Sequence, residues 1–207
     1  MKFEILTKLS EYYGDRIDKF GACPMGVDWK DEPSQKLRFE QLLRIINNDK
    51  PLTINDLGCG YGALYLYLEQ NNFPPVLKYY GYDISEKMLK EAGKLIKIDN
   101  VDFQKSDKIL FDSDYSITSG IFNVKLDTKE KVWEEFITDT LINMNEKSLR
   151  GFAFNCLTSY VDFEVEKLYY GDPLFYFDFC RKNFSKYVTL IHDYKLYEWT
   201  ILVRKNV

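Results

Sequence analysis

The 207-residue sequence predicts an α/β fold: a doubly wound, mostly parallel sheet closed by a carboxyl-terminal antiparallel hairpin, with a helical segment in front. Three observations point to it. From residue 51 onward strand and helix patterns alternate, as parallel strands joined by crossover helices require. A glycine-rich turn joins the first strand to the first of those helices. The last two strands follow one another with almost no chain between them, which only an antiparallel pair allows.

The elements follow in order. Residues 1–50 read as a helical prelude, in which "EPSQKLRFEQLLRIINN" is a helix and "KFGACPMGVDW" an irregular connection before it. "LTINDLG" is a buried strand running into the helix "YGALYLYLEQNN", and "VLKYYGYD" is the second strand. In "SEKMLKEAGKLIK" the residues Met88, Leu89, Ala92, Leu95 and Ile96 recur at helical spacing, with Ser85 as N-cap. "VDFQKS" and "DYSITSGIF" are the third and fourth strands. "TKEKVWEEFITDTLINMN" is an amphipathic helix with Val132, Phe136, Thr140 and Leu141 near one face. "GFAFNCL" is the fifth strand, "LYYGDPLFYFDF" an aromatic insert, and "YVTLIHDY" with "LYEWTILVRK" the hairpin. The expected organisation is a helical lid over residues 1–50 and one α/β domain over 51–207.

Composition narrows the function. The length suits a single sizeable α/β core. An aromatic share of 16% asks for a packed core or a ring-lined pocket. A net charge of -4 argues against a nucleic-acid partner, because phosphate binding needs a basic surface. No window is long and apolar enough for a membrane span, and the charged opening "MKFEILTKLSEYYGDR" reads as neither signal nor anchor. Cys23, Cys59, Cys156 and Cys180 are scattered, as reduced thiols of a cytoplasmic protein are. With His192 as the single histidine, no metal site is expected.

The glycine turn "NDLGCGYG" admits several ligands. Gly58-Cys59-Gly60-Tyr61-Gly62-Ala63 satisfies G-x-G-x-x-G/A, so a dinucleotide is formally open, whereas no G-K-[ST] follows to make a nucleoside triphosphate loop. Asp56, two residues before the first glycine, would repel a pyrophosphate and attract a cationic sulfonium or ammonium group. Asp83 ends the second strand about twenty residues past the loop, where an acid grips ribose hydroxyls. Ile84 and Met88 can then pack on an adenine, and Asp107 after the third strand can accept from its exocyclic amine. Acids that merely cap loops and helices are the competing reading.

The runs "INDLGCGYG", "YYGYDISEKML", "VDFQKSD" and "DYSITSGIF" resemble the successive motifs of class I S-adenosylmethionine-dependent methyltransferases, over about residues 50–205, terminal hairpin included. The resemblance implies a Rossmann-like, seven-stranded sheet. It implies S-adenosyl-L-methionine (SAM) as cofactor and S-adenosyl-L-homocysteine (SAH) as product, lying across the carboxyl ends of the first strands. Asp56 and Gly58, Cys59, Gly60 and Gly62 would contact the methionine half, Asp83 the ribose and Asp107 the adenine, with Ser119 and Ile121 beside the methyl donor. The segment "SGIFNVK" departs from the N-P-P-[YF] of amino-directed DNA methyltransferases and offers no cysteine nucleophile for C5 chemistry.

The acceptor would face side chains at the carboxyl ends of the strands and in the prelude. "FNCLTSY" puts Asn155, Thr158, Ser159 and Tyr160 just past the fifth strand, and "IHDYKLYEW" puts His192, Asp193 and Tyr194 at the hairpin tip. His192 titrates near neutrality and is the expected general base. In the prelude, Tyr13 and Trp29 are expected to touch the substrate, with Tyr12, Arg16 and Arg38 completing the lid; a core-anchoring Trp29 is the alternative. Apolar walls with few polar groups suit a small organic acceptor. The reading is therefore methyl transfer to a small molecule, at oxygen rather than nitrogen, on a sugar, phosphate-type or carboxylate group in bacterial surface-carbohydrate or secondary metabolism. An NAD(P)-dependent oxidoreductase and a non-catalytic SAM-binding protein are the alternatives, and the oligomeric state is not legible.

Overall fold

The computed structural model describes residues 2–47 and 50–205. Its seven strands are β1 (Leu52–Leu57), β2 (Val76–Asp83), β3 (Val101–Lys105), β4 (Ser113–Thr118), β5 (Ser148–Leu157), β6 (Tyr187–Ile191) and β7 (Glu198–Arg204). They form one sheet in the order β3-β2-β1-β4-β5-β7-β6. The first five run parallel, and β7 is antiparallel to both neighbours. The helices are α1 (Lys2–Phe20), α2 (Glu32–Leu43), α3 (Ala63–Gln70), α4 (Glu86–Leu95), α5 (Glu130–Glu146) and α6 (Pro173–Asn183), with a short 3-10 helix over Pro24–Val27.

Strand residues alternate between two apolar layers, because successive side chains point to opposite faces. On β5, Phe152 and Phe154 pack on one side with Trp133, Ile137 and Leu141 of α5, while Ala153 faces the other. On that other face Ile54, Tyr79 and Ile117 meet Leu42 and Leu43 of α2 and Leu64 and Leu68 of α3. A parallel sheet covered on both faces needs such near-continuous apolar strands. Helix starts are set locally. The Asp31 carboxylate accepts from Ser34 N–H at 2.8 Å, Ser85 Oγ from Met88 N–H at 3.4 Å, and the Asp172 carboxylate from Leu174 N–H at 2.8 Å.

The structure corrects or sharpens the sequence expectations at four points. The aromatic insert is partly a helix: Asp172 caps α6 and Pro173 opens it, a combination favoured at a first turn. The last strands are separated by residues 192–197, so β6 ends before His192. The final strand β7 also lies inside the sheet, against β5, and β6 takes the outer edge. Asn155 lies within β5 rather than past it.

The strand order reverses between β1 and β4, and the carboxyl ends diverge there to leave a crevice, as in other open α/β sheets. Helix α1 lies against this crevice. Ser10 Oγ donates to Ile84 O at 3.1 Å, and Lys8–Asp127 and Lys87–Asp18 are exposed pairs at 2.7 and 2.5 Å. Such exposed pairs add little, so the buried Ile5, Leu9 and Ile17 supply most of the hold.

Trp133 is fully buried in α5, and its indole N–H donates to Phe122 O at 2.9 Å. Trp133→Ala is expected to cost about 3–5 kcal/mol in urea unfolding, as other large-to-small core changes do; a loss below about 1 kcal/mol would mean the core refills the space.

Candidate functional site

Gly58, Gly60 and Gly62 turn the chain out of β1 and into α3, and the turn is fastened to the end of β2. Gly58 N–H and Cys59 N–H both donate to Tyr82 O, at 2.7 and 3.0 Å, and Gly62 N–H donates to Cys59 O at 2.9 Å. Gly60 N–H donates to Asp83 Oδ2 at 2.9 Å. These four amides are spoken for within the protein, so they do not form the open row of donors that a pyrophosphate needs. Gly58 has φ +77°, and a Cβ there would stand 2.1 Å from Ile121 Cγ2. Glycine is required because the turn passes directly under the segment that follows β4.

Around this turn lies a cleft with about 940 Å³ of unfilled space counted out to its mouth. Its acidic part is Asp56, Asp83 and Asp107, and Ile84, Met88 and Ser106 line it with them. Among the described residues lining the cleft there is no lysine, arginine or histidine. Three carboxylates without a cation make a site for a ligand carrying positive charge. Its apolar part is formed by Leu6, Leu9 and Tyr13 of α1, with Val27, Trp29, Phe39, Ile121 and Phe136, and Tyr13 and Val27 pack against Met88 beside the acids.

The acids are held in unusual states. Asp56 is buried and accepts a hydrogen bond from the Tyr79 hydroxyl. Loss of water raises its carboxyl to about 7, against the lowering effect of that bond. Asp83 accepts from Gly60 N–H on one oxygen and from Ser85 N–H at 2.8 Å on the other, and burial still raises it to about 6. Each oxygen keeps a lone-pair direction for a further donor. Burial also lifts the Tyr13 phenol far above its ordinary value, so it stays neutral. Ser119 Oγ is buried with no hydrogen-bond partner among the described residues, and Ser119 lines the cleft. A buried polar atom left unpaired is costly, and a ligand supplies the partner.

Most of the sequence-derived residues converge here. Asp56, Gly58, Cys59, Gly60, Asp83, Ile84, Met88, Asp107, Ser119, Tyr13 and Trp29 all line the cleft. The remainder do not. Gly62 points away from it, toward Ile96 and Phe103. Asn155 is fully buried behind the wall, accepting from Gly120 N–H at 2.8 Å. Tyr160 is 61% exposed, and the exposed His192 lies tilted against its ring at 5.8 Å. Tyr194 is half-buried beside Thr200, its hydroxyl 3.0 Å from the threonine's. The insertion of β7 explains His192: it moves the β6–β7 loop two strands out from β5, to the side of the cleft. Leu6 and Leu9 were missed, although with Tyr13 they recur at helical spacing along α1. Val27, Gln35 and Phe39 carry no comparable signal.

Comparisons with known proteins agree with this arrangement. A family model described as "Methyltransferase domain" matches residues 48–150. "Putative methyltransferase Rv1506c" of Mycobacterium tuberculosis (strain ATCC 25618 / H37Rv) is 48% identical over 166 residues, covering 79% of this chain and 99% of its own. The crystal structure of magnesium protoporphyrin IX methyltransferase (ChlM) from Synechocystis PCC 6803 with bound SAH aligns with a TM-score of 0.66 and 18% identity. It covers 97% of this chain and 99% of its own. Human N-acetylserotonin methyltransferase in complex with SAM aligns with a TM-score of 0.67 and 15% identity, over 99% of this chain and 59% of its own. At such identities the two solved structures speak for the fold.

Both Asp56 and Asp83 titrate higher in the folded chain than an unfolded carboxyl does. Their contribution therefore favours folding below the ordinary carboxylate range and is lost as pH rises through about 6 and then about 7. The urea midpoint of the ligand-free protein is expected to fall between about pH 5 and 8, and Asp56→Asn to remove on the order of 2 kcal/mol of that fall. An equally steep decline in the variant would assign it to other groups.

Proposed function

The chain belongs to the class I S-adenosylmethionine-dependent methyltransferases, and we propose that it methylates a neutral hydroxyl on a small, largely apolar molecule. The observation that carries this reading is the make-up of the cleft lining: three carboxylates in otherwise largely apolar surroundings, with no cation among the described lining residues. An anionic acceptor, whether phosphate-type or carboxylate, would meet carboxylates and no counter-charge. Among oxygen acceptors this favours the uncharged hydroxyl of an alcohol, phenol or sugar-like compound.

The cofactor residues follow from the same lining. Asp83 takes the ribose hydroxyls, Ile84 and Met88 pack on the adenine, and Asp107 accepts from its amine. Asp56, the turn from Gly58 to Gly60 and Ser119 face the methionine half, where Asp56 opposes its positive charge and Ser119 Oγ gains a partner. The cofactor, when bound, supplies an electrophilic methyl group on a sulfonium. The chain contributes alignment and exclusion of water, which together account for much of the rate of an in-line displacement. Residues 1–50 act as the lid over the domain of 51–207: Leu6, Leu9 and Tyr13 close the apolar part, and the neutral Tyr13 hydroxyl orients the acceptor oxygen. The hydroxyl proton becomes acidic as the new C–O bond forms and leaves to water at the mouth, so no histidine is required.

The oxidoreductase alternative fits poorly, since the loop amides are used internally and the lining holds no cation for a pyrophosphate. Four unpaired cysteines support a cytoplasmic setting.

Two measurements test these assignments. SAH affinity measured by calorimetry is expected to fall at least about tenfold in Asp83→Ala, the loss of a good pair of hydrogen bonds; unchanged affinity would sink the ribose assignment. In an assay that counts SAH released, neutral alcohols and phenols are expected to turn over at least about tenfold better than matched carboxylates and phosphate esters. In the same assay Tyr13→Phe should lower kcat/KM about tenfold or more while SAH affinity holds. The reverse acceptor preference would overturn the acceptor class and leave the cofactor untouched.

A further inference from the structure

A buried ion pair lies just behind the apolar part of the cleft lining. Arg38 of α2 and Glu198 of β7 are 160 positions apart, with side chains 8% and 1% exposed. Arg38 Nε and Nη2 reach both carboxylate oxygens at 2.6–3.0 Å, and Nη1 donates to Ser34 O at 2.8 Å. Asn155 Nδ2 donates to Glu198 Oε2 at 3.0 Å, and Asn123 Nδ2 approaches Oε1 at 3.4 Å. Every charge and lone pair of importance is thus answered. Even so, burying two charges costs desolvation that well-packed apolar side chains would avoid, so stability alone is a poor account of the pair.

What the pair does is hold two pieces of the cleft wall. The Arg38 guanidinium lies 3.8 Å over the Trp29 ring. The edge of that indole presses on Gly120, where a Cβ would stand 2.3 Å from both Cη2 and Cζ2. Gly120 has φ +78°, and its N–H is fixed by the same Asn155 whose amide binds Glu198. Trp29, Gly120 and the adjoining Ile121 line the cleft, and Ile121 rests on Gly58 of the glycine turn. Two routes therefore run from one ion pair to one glycine: through the stacked Trp29, and through Asn155.

We propose that Arg38 and Glu198 are positioning residues for the methyl acceptor, fixing Trp29 against Gly120 so that the apolar wall stands in register with the methyl donor. The inference rests on the acceptor site assigned above. Arginine suits the task because its flat guanidinium can stack on the indole while its fork grips a carboxylate; lysine can form the ion pair but cannot stack in that way.

The test uses Arg38→Lys, which keeps the charges, and the double variant Arg38→Gln with Glu198→Gln, which removes both charges yet leaves Asn155 an acceptor. SAH affinity is expected to stay within about threefold of the parent, because the acidic part is untouched. Emission assigned to Trp29, by difference from Trp29→Phe, should shift to the red and become more open to acrylamide. Turnover of whichever hydroxyl acceptor the parent accepts should fall about tenfold or more, mainly through KM. Variants that bind SAH with a shielded Trp29 and parental KM would overturn the proposal. In the parent, hydrogen exchange at the Gly120 amide is expected to be strongly protected without any ligand; rapid exchange there would overturn it whether or not the variants fold. A parent that turns over no neutral hydroxyl refutes the acceptor class, whereas unchanged variants of an active parent refute the positioning role.

Discussion

The Asp83 carboxylate joins two loops that would otherwise be independent. One oxygen takes the Gly60 N–H of the turn after β1, and the other takes the Ser85 N–H that opens α4. Tyr82 O completes the clamp by accepting from Gly58 and Cys59. All of this depends on β1 and β2 pairing with Leu57 opposite Tyr82. A one-residue slip would turn the Asp83 side chain to the other face and leave the glycine turn unsupported. The close packing beneath requires Gly81, since a Cβ there would stand 2.6 Å from the Phe103 ring. A carboxylate kept this dry has a raised proton affinity, and hydroxyl donors from a ligand would replace the water that it has lost.

The cleft divides its labour by polarity. Its acidic part is built by strand ends and the turns attached to them, and backbone hydrogen bonds fix it. The apolar part is borrowed from α1, the segment after the 3-10 helix and α2, which reach it from the amino-terminal part of the chain. On the proposed assignment, cofactor recognition would sit on the sheet, and acceptor recognition on elements whose hold depends on side-chain packing and one buried ion pair. Such elements can change without disturbing the sheet, which is how one fold serves many acceptors.

Local signals in the sequence reached the acidic part of the cleft in full and the apolar part only at Tyr13, Trp29 and Ile121. The glycine turn, Asp56 and Asp83 are legible because each is fixed by its distance from the end of a strand, and strands of this kind announce themselves by apolar runs. Ser85 and α4 follow from capping chemistry and helical spacing. The structure sets His192, Tyr160 and Tyr194 apart from the cleft lining, and the sequence shows hairpin partners without showing which of them lies inside the sheet. Asn155 looked like a loop residue because "FNCLTSY" gives no sign of where pairing with β7 ends. Glu198 did leave a trace, an acid opening the otherwise buried run "EWTILV", but its partner lies 160 positions away in a helix that reads as ordinary.

The interior position of β7 also orders events in time. It is the last strand in the chain, yet β5 and β6 meet only through it. Until residue 204 has left the ribosome, the outer edge of β5 has no partner and β6 has nothing to pair with. The β1–β4 half can consolidate earlier, because its contacts are closer in sequence. A chain cut short before residue 198 would keep Asp56 and Asp83 while lacking Glu198, and with it the partner of Arg38 and the support of Trp29.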